Sequence, residues 1–242
     1  MTDYIFGIRA VIEAIKAEKE IDKLFIKKGL KGDLVLEMLT LVHQNKIQYQ
    51  YVPVEKINRI TRKNHQGVVA FISPITYQLI EQIVPIVFEK GEAPLILALD
   101  GITDVRNFGA IARSAECAGV HAIVVPTKGG AQINSDAMKT SAGALLKIPV
   151  CRVPSLRNTL MYLKNSGLKI VIATEKTHRL YFDADFKTPT VIVMGAEDTG
   201  VSTENLKIAD EAVKIPTLGE IESLNVSAAC TVLLYEAVRQ RQ

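Results

Sequence analysis

The 242-residue sequence predicts an α/β protein built on a mainly parallel sheet with helices on both faces, preceded by a smaller α/β unit. Two observations carry the larger part. From Pro94 onward, near-continuous apolar runs (PLILALD, HAIVVP, IPVCRV, LKIVIAT, TVIVMG, EAVKIP) have the composition of strands buried on both sides. Helical stretches separate most of them: FGAIARSAECAG, SDAMKTSAGALLK, SLRNTLMYLKN and NVSAACTVLLYEAVRQRQ. A third observation sets the N-terminal part aside. Residues 1–73 hold 12 of the 29 Lys and Arg but only 8 of the 26 Asp and Glu, so the basic excess lies there.

In the first unit, GIRAVIEAIKAE places Ile8, Val11, Ile12 and Ile15 on one helical stripe. KLFIK follows as a short strand, then an amphipathic helix from Asp33 to Asn45 with Asp33 placed to cap it. QYQYV alternates like a strand, and GVVAFIS reads as a buried one. Residues 1–73 therefore form one domain and 93–242 another. Between them, 74–92 carry Pro74 and Pro85 around a short apolar helical stretch, as a partly helical linker.

Composition narrows the function classes. With 48% hydrophobic residues the chain can bury a substantial core. A net charge of +3 permits a nucleic-acid partner without demanding one. Cys117, Cys151 and Cys230 are odd in number and widely spaced, so they read as reduced thiols, and the four scattered histidines spell no metal site. No run reaches membrane-spanning length and the N-terminus has no apolar signal core, so a soluble, cytoplasmic protein is expected. Neither GxGxxG after the first strand of the large domain, nor GxxxxGK[ST], nor GxSxG is present. Nicotinamide, NTPase and elbow-type hydrolase chemistries are thereby disfavoured.

Ligands of parallel sheets sit beyond the carboxyl ends of the strands. Three loops there carry chemistry. The first, GITDVRNFGAIARSAECAG, offers Asn107 as an N-cap, Gly109 where a backbone or phosphate can approach closely, and Arg113 with Glu116 on one helix face. A capped helix with an ordinary surface Arg–Glu pair explains the same residues. The second, GAEDTGVS, places Glu197 just past a strand end, with Ser202 to cap the next helix. A plain turn explains it equally. The third, PTLGEIESLNVSAA, presents Ser223 and Asn225 before a long apolar helix. A single residue can cap, so the other is surplus to structure.

Taken together and in this order, DVRNFGAIARSAECAG, VIVMGAEDTGVS and IPTLGEIESLNVSAA resemble the SpoU-type ribose methyltransferases of the SPOUT superfamily, with SLNVS the most specific stretch. TSAGALLKIPVCRV also fits. FGIRAVIEAI, DKLFIKK and NHQGVVAFIS resemble the small substrate-binding domain, related to ribosomal-protein folds, of the branch acting on ribosomal RNA. One departure is Thr217, where the family usually has Met.

The resemblance implies a C-terminal trefoil knot, a homodimer, and three loops that pinch S-adenosylmethionine for transfer of its methyl group to a ribose 2′-hydroxyl of RNA. Large-subunit ribosomal RNA, at a guanosine, is the implied substrate, with transfer RNA the alternative. Carried over residue by residue, Arg113 sits at the catalytic centre. A guanidinium is effectively always charged, so phosphate clamping and alkoxide stabilisation suit it better than deprotonation. Asn107 would orient Arg113 or the ribose, Glu197 would anchor the arginine, and Ser223 and Asn225 would touch phosphate or ribose. Cofactor contacts fall mostly on backbone, at Gly195, Ile215 and Leu224, with Thr174 beside them; no metal is implied.

Two rivals remain from the residues. A nicotinamide oxidoreductase fits the α/β pattern but lacks the glycine fingerprint. A catalytically silent RNA-binding or ribosome-assembly protein would keep the basic N-terminal unit yet should have lost some of Asn107, Arg113, Glu197, Ser223 and Asn225, all of which stand.

Overall fold

A computed structural model describes residues 4–221 and 223–242. The chain divides into two compact units, one running to Thr76 with Ile133–Ser135, the other comprising Tyr77–Gln132 and Asp136–Gln242.

In the first unit the order is β1 (Tyr4–Phe6), α1 (Ile8–Lys16), β2 (Ile21–Lys27), α2 (Asp33–Gln44), β3 (Tyr49–Val52), α3 (Val54–Asn58) and β4 (Val68–Ile72). The sheet runs β1-β4-β2-β3; β2 and β3 are parallel and the other pairs antiparallel. Alternation along β2 sorts its side chains between two cores. Leu24 and Ile26 meet Val11, Ile15, Met38 and Val42 of α1 and α2. Phe25 turns the other way, toward Ile57 of α3 and the partly buried Tyr4, Phe6 and Phe71. The sequence reading missed β1 and α3, which at three and five residues are too short to show a period. It also misplaced a cap: Gly32 is the N-cap of α2 and Asp33 its first helical residue, where the carboxylate still favours the positive helix end.

The second unit starts with α4 (Ile80–Glu89), whose Ile80 and Val84 join its core. There follow β5 (Leu95–Asp100), α5 (Val105–Cys117), β6 (Ala122–Pro126), α6 (Ser135–Thr140), β7 (Val150–Val153), α7 (Leu156–Asn165), β8 (Lys169–Ala173), β9 (Thr190–Gly195), α8 (Thr203–Leu206), β10 (Glu211–Val213) and α9 (Val226–Arg241). The six strands pair in parallel in the order β10-β8-β9-β5-β6-β7. Every residue of β9 is buried, as a central strand covered on both faces requires. Ile96 and Ala98 pack with Leu160 and Leu163 of α7. Leu95, Leu97 and Leu99, buried too, face the side where α9 meets β9 and α5.

The single helix expected over SDAMKTSAGALLK is broken after Thr140. Ala142 (φ 50°) and Gly143 (φ 87°) turn the backbone left-handed, and a short 3-10 turn, Ala144–Leu146, replaces the rest. Gly109 of α5 shows why close passage matters here. A Cβ on it would lie 2.8 Å from the Ala137 carbonyl oxygen and 2.7 Å from Thr140 Cβ, so the approach its size permits is by backbone rather than phosphate. Cys151 and Cys230 are buried free thiols whose pKa values burial pushes up to about 12; Cys117 is exposed. Among the described residues no helix is long and apolar enough to cross a membrane, and no three His, Cys, Asp or Glu side chains form a metal-binding group.

Asp210 pins β10's approach to β8: its Oδ2 accepts from the Ile170 N–H at 2.9 Å and its Oδ1 pairs with Lys164 Nζ at 2.6 Å. Burial works against the carboxylate, but the Ile170 N–H and Lys164 outweigh it and hold the pKa below the usual value. The depressed folded pKa means its stabilisation is complete above the unfolded value of about 3.9 and is lost as pH falls through the folded one. Asp210→Ala should cost about 1–3 kcal/mol near neutral pH in urea titrations. That deficit should shrink below about pH 4.

Candidate active site

Parallel strands aim their carboxyl ends at one rim, and the loops leaving β5, β8, β9 and β10 gather there. After β5, Asp104 caps α5, its Oδ1 accepting from the Asn107 N–H at 2.7 Å. Asn107 was the expected cap; with that duty taken by Asp104, its side chain turns outward instead. After β9, Ala196 and Gly200 pair through their backbones at 3.2 and 2.9 Å, a tight loop with Glu197, Asp198 and Thr199 at its tip. Asp100, the last residue of β5, steadies this loop by accepting from the Ser202 N–H at 2.8 Å and Asn205 Nδ2 at 2.9 Å. Ser202 occupies the N-cap position of α8, but its hydroxyl makes no capping bond.

Before α9, Asn225 serves as the N-cap. Its Oδ1 accepts from the Ser227 N–H at 2.9 Å and Ser227 Oγ at 2.5 Å. That fixes the amide with its nitrogen turned away from the helix. Nδ2 donates to Glu197 Oε1 at 2.8 Å and to Asn107 Oδ1 at 3.1 Å, while Asn107 Nδ2 donates to the same Glu197 oxygen at 2.9 Å. Three residues, from the first turn of α5, the loop after β9 and the cap of α9, up to 118 positions apart, thus close on one another. Cap and bridge are one residue, and Ser223 is the surplus side chain.

Beside this cluster lies a cavity of about 540 Å³, within the roughly 300–1,000 Å³ of small-molecule sites. Glu197, Ser223 and Asn225 line it, and so do Thr174, Gly195, Ile215 and Leu224; Thr217 also faces it. Among the described residues the backbone N–H and C=O of Ile215 and Leu224 make no internal hydrogen bond, which leaves both for a ligand. Gly195 is compelled by sterics: a Cβ there would lie 2.1 Å from the Gly200 carbonyl carbon. Asn107 stands at the edge, outside the lining.

Arg113 is placed differently from the expectation. It lies two helical turns beyond the start of α5, exposed, outside the cavity lining, and without a hydrogen bond or ion pair among the described residues. Glu197 does not anchor it, because the two asparagine amides hold that carboxylate; nor does Glu116, which pairs with Lys147 at 3.7 Å. Asp100, Asp104 and Ser227 were missed from sequence. The Asp104–Asn107 spacing of three is the ordinary capping signal and could have found Asp104; Ser227, two residues after the cap, carries no signal of that kind.

The cluster and cavity occupy the three segments that resemble one family, and the SpoU rRNA Methylase family model matches residues 94–235. The chain belongs to that family. A second family model, RNA 2′-O ribose methyltransferase substrate binding, matches residues 4–78. Relatives of this SpoU family member extend over the whole chain. The 23S rRNA (guanosine-2′-O-)-methyltransferase RlmB of Escherichia coli (strain K12) is 36% identical, covering 100% of both chains. A putative TrmH family tRNA/rRNA methyltransferase, YacO, of Bacillus subtilis (strain 168) is 32% identical over 99% of this chain and 96% of its own. Among solved structures, the SpoU methyltransferase AviRb from Streptomyces viridochromogenes in complex with the cofactor AdoMet superposes with a TM-score of 0.63. It is 25% identical over 98% of this chain and 90% of that one.

Gly195→Ala tests the cavity wall. The added methyl must push the 196–200 loop off β9, so S-adenosylmethionine affinity in calorimetry should fall by about tenfold or more, about 1.4 kcal/mol. The thermal midpoint should drop with it. Wild-type affinity in the variant would show that the loop is not part of the cofactor site.

Proposed function

We propose that this SpoU family member transfers a methyl group from S-adenosylmethionine to a ribose 2′-hydroxyl of large-subunit ribosomal RNA, at a guanosine. The carrying observation is the Asn107–Glu197–Asn225 cluster at the mouth of a cavity lined by unpaired backbone groups. When bound, the cofactor supplies a sulfonium-activated methyl group. The cavity suits it by size and by donor set, since the N–H and C=O groups of Ile215 and Leu224, unpaired among the described residues, match a purine edge, and Gly195 and Thr174 share the lining.

The protein's own task is to hold an acceptor hydroxyl in line and ease loss of its proton. Alignment of this kind is worth roughly 7–11 kcal/mol. Glu197, its Oε1 saturated by two amide N–H donors, keeps Oε2 for the acceptor side. Ser223, exposed at the cavity and without a hydrogen bond among the described residues, contacts phosphate or ribose, as does Asn225. Arg113 clamps the phosphate beside the target ribose with its bidentate guanidinium and stabilises the developing alkoxide. Its exposure, and its lack of a partner among the described residues, support that reading.

The same proposal assigns RNA binding to residues 1–73 and methyl transfer to 93–242, joined through 74–92, and sets the work in the cytoplasm with ribosomal RNA. It includes a homodimer and a threaded C-terminal half. The end of α9 is also fastened down by its own side chains. Gln240 Nε2 donates to the Ala184 carbonyl at 2.9 Å and its Oε1 accepts from the Phe186 N–H at 2.8 Å, so the helix end is tied to the connector between β8 and β9. Transfer RNA is the second reading, favoured by the mixed tRNA/rRNA description of the Bacillus relative.

Mapping 2′-O-methyl sites in ribosomal RNA from cells with and without the protein tests the substrate: one guanosine should lose its mark, and an unchanged map sinks the reading. For the residues, Arg113→Lys keeps the charge but loses the fork. Both it and Arg113→Ala should cut single-turnover transfer about 10²–10³-fold with cofactor affinity retained. Near wild-type rates in both would remove Arg113 from the centre.

A further inference from the structure

We propose that the α3 face of the N-terminal sheet grips the phosphodiester backbone of folded RNA through Lys23, Lys56, Arg59, Arg62 and Lys63. The inference rests on the RNA substrate proposed above and says where, and by what chemistry, that RNA is held.

Four aromatic side chains run as a continuous group across this face. Phe6 and Tyr4 lie 6.3 Å apart, Tyr4 and Phe71 6.1 Å, and Phe71 and Phe25 6.0 Å. Three ammonium groups sit on the rings: Lys56 at 4.8 Å and Lys23 at 5.1 Å over Phe25, and Lys63 at 5.9 Å over Phe6. A ring face holds a cation by its quadrupole without consuming the N–H donors. These lysines are thus positioned yet still able to donate. Arg59 and Arg62, both exposed, line a hollow of about 760 Å³ with Glu55 and Asn58, and Asn58 Oδ1 is bonded to His65 Nε2 at 2.8 Å.

Charge is what makes the face notable. Segment 54–67 carries four Lys or Arg against Glu55 alone. Among the described residues, none of the five cations forms an ion pair with a carboxylate, although Lys16, Lys164 and Lys169 elsewhere all do. Like charges gathered without counter-charges repel, and a polyanion laid across them relieves that repulsion.

The rings decide which part of the RNA is met. Phe25 is 4% exposed, and Tyr4, Phe6 and Phe71 are partly buried rather than open to solvent. Bases therefore find no fully open ring to stack on, and contact falls chiefly to phosphates, which position an RNA without reading its sequence. Helical, folded RNA presents its backbone in that way.

The test uses the full-length protein carrying Arg59→Glu, Arg62→Glu and Lys63→Glu together, with a matched reversal of Lys28, Lys31 and Lys46, which sit on none of these rings. Affinity for a ribosomal-RNA hairpin is measured without methyl transfer from roughly 50 to 200 mM salt. The first variant should bind about tenfold or more weakly, with a salt slope lower by about 2–3, and with S-adenosylmethionine affinity and urea midpoint unchanged. The matched variant should stay near wild type. Unchanged affinity and slope in the first variant, or equal losses in both, overturn the inference, including the case in which the face serves an acidic protein instead. Binding that responds as expected in a protein that never methylates RNA would sink the proposed function and leave this inference standing.

Discussion

Residues 107, 197 and 225 can meet only because one carboxylate oxygen accepts from two amides at once. Glu197 sits at the tip of a loop kept short by the pairing of Ala196 with Gly200, and it is reached from one side by Asn107 and from the other by Asn225. Each asparagine is free to reach it for a local reason. Asp104 has taken over the capping of α5, and Ser227 turns the Asn225 amide so that its nitrogen faces outward. Without that carboxylate the two amides would be left facing each other with one bond between them, and the loops after β5, β9 and β10 would lose their common point.

Much of this arrangement was legible before any coordinates, and the reason is periodicity. The four central strands of the larger sheet, β8, β9, β5 and β6, are largely buried apolar runs, a pattern that residue type alone displays. Loop positions followed from strand ends, and motif order followed from resemblance. What failed to show was short-range and geometric. β1 and α3 are too brief for any period, and the break after Thr140 depends on backbone angles at Ala142 and Gly143. The cap at Asp104 was available in the spacing but was outcompeted by Asn107, an equally good capping type.

The candidate site divides in the same way. The resemblance singled out Asn107, Glu197 and Asn225, yet only the structure shows that Glu197 serves the asparagines and leaves Arg113 without a partner among the described residues. Likewise the N-terminal basic excess was visible as a count, whereas its concentration on one aromatic-floored face was not. Lys23 is separated from Lys56 and Lys63 by α2 and β3, and the sheet order brings them together.

Arg241 carries a consequence for how this molecule comes together in time. Its guanidinium donates to the carbonyls of Ala93 and Pro94, 148 and 147 positions earlier, and to those of Phe186 and Thr188. A contact of such sequence separation waits on a large loss of chain entropy and belongs to the slow end of folding. The loop bearing Ser223 and Asn225 is tethered at its far end by this same helix. Arg241 thereby fastens the C-terminal end of α9 onto the segments that enter β5 and β9, and this clamp should close late, after most of the sheet is in place.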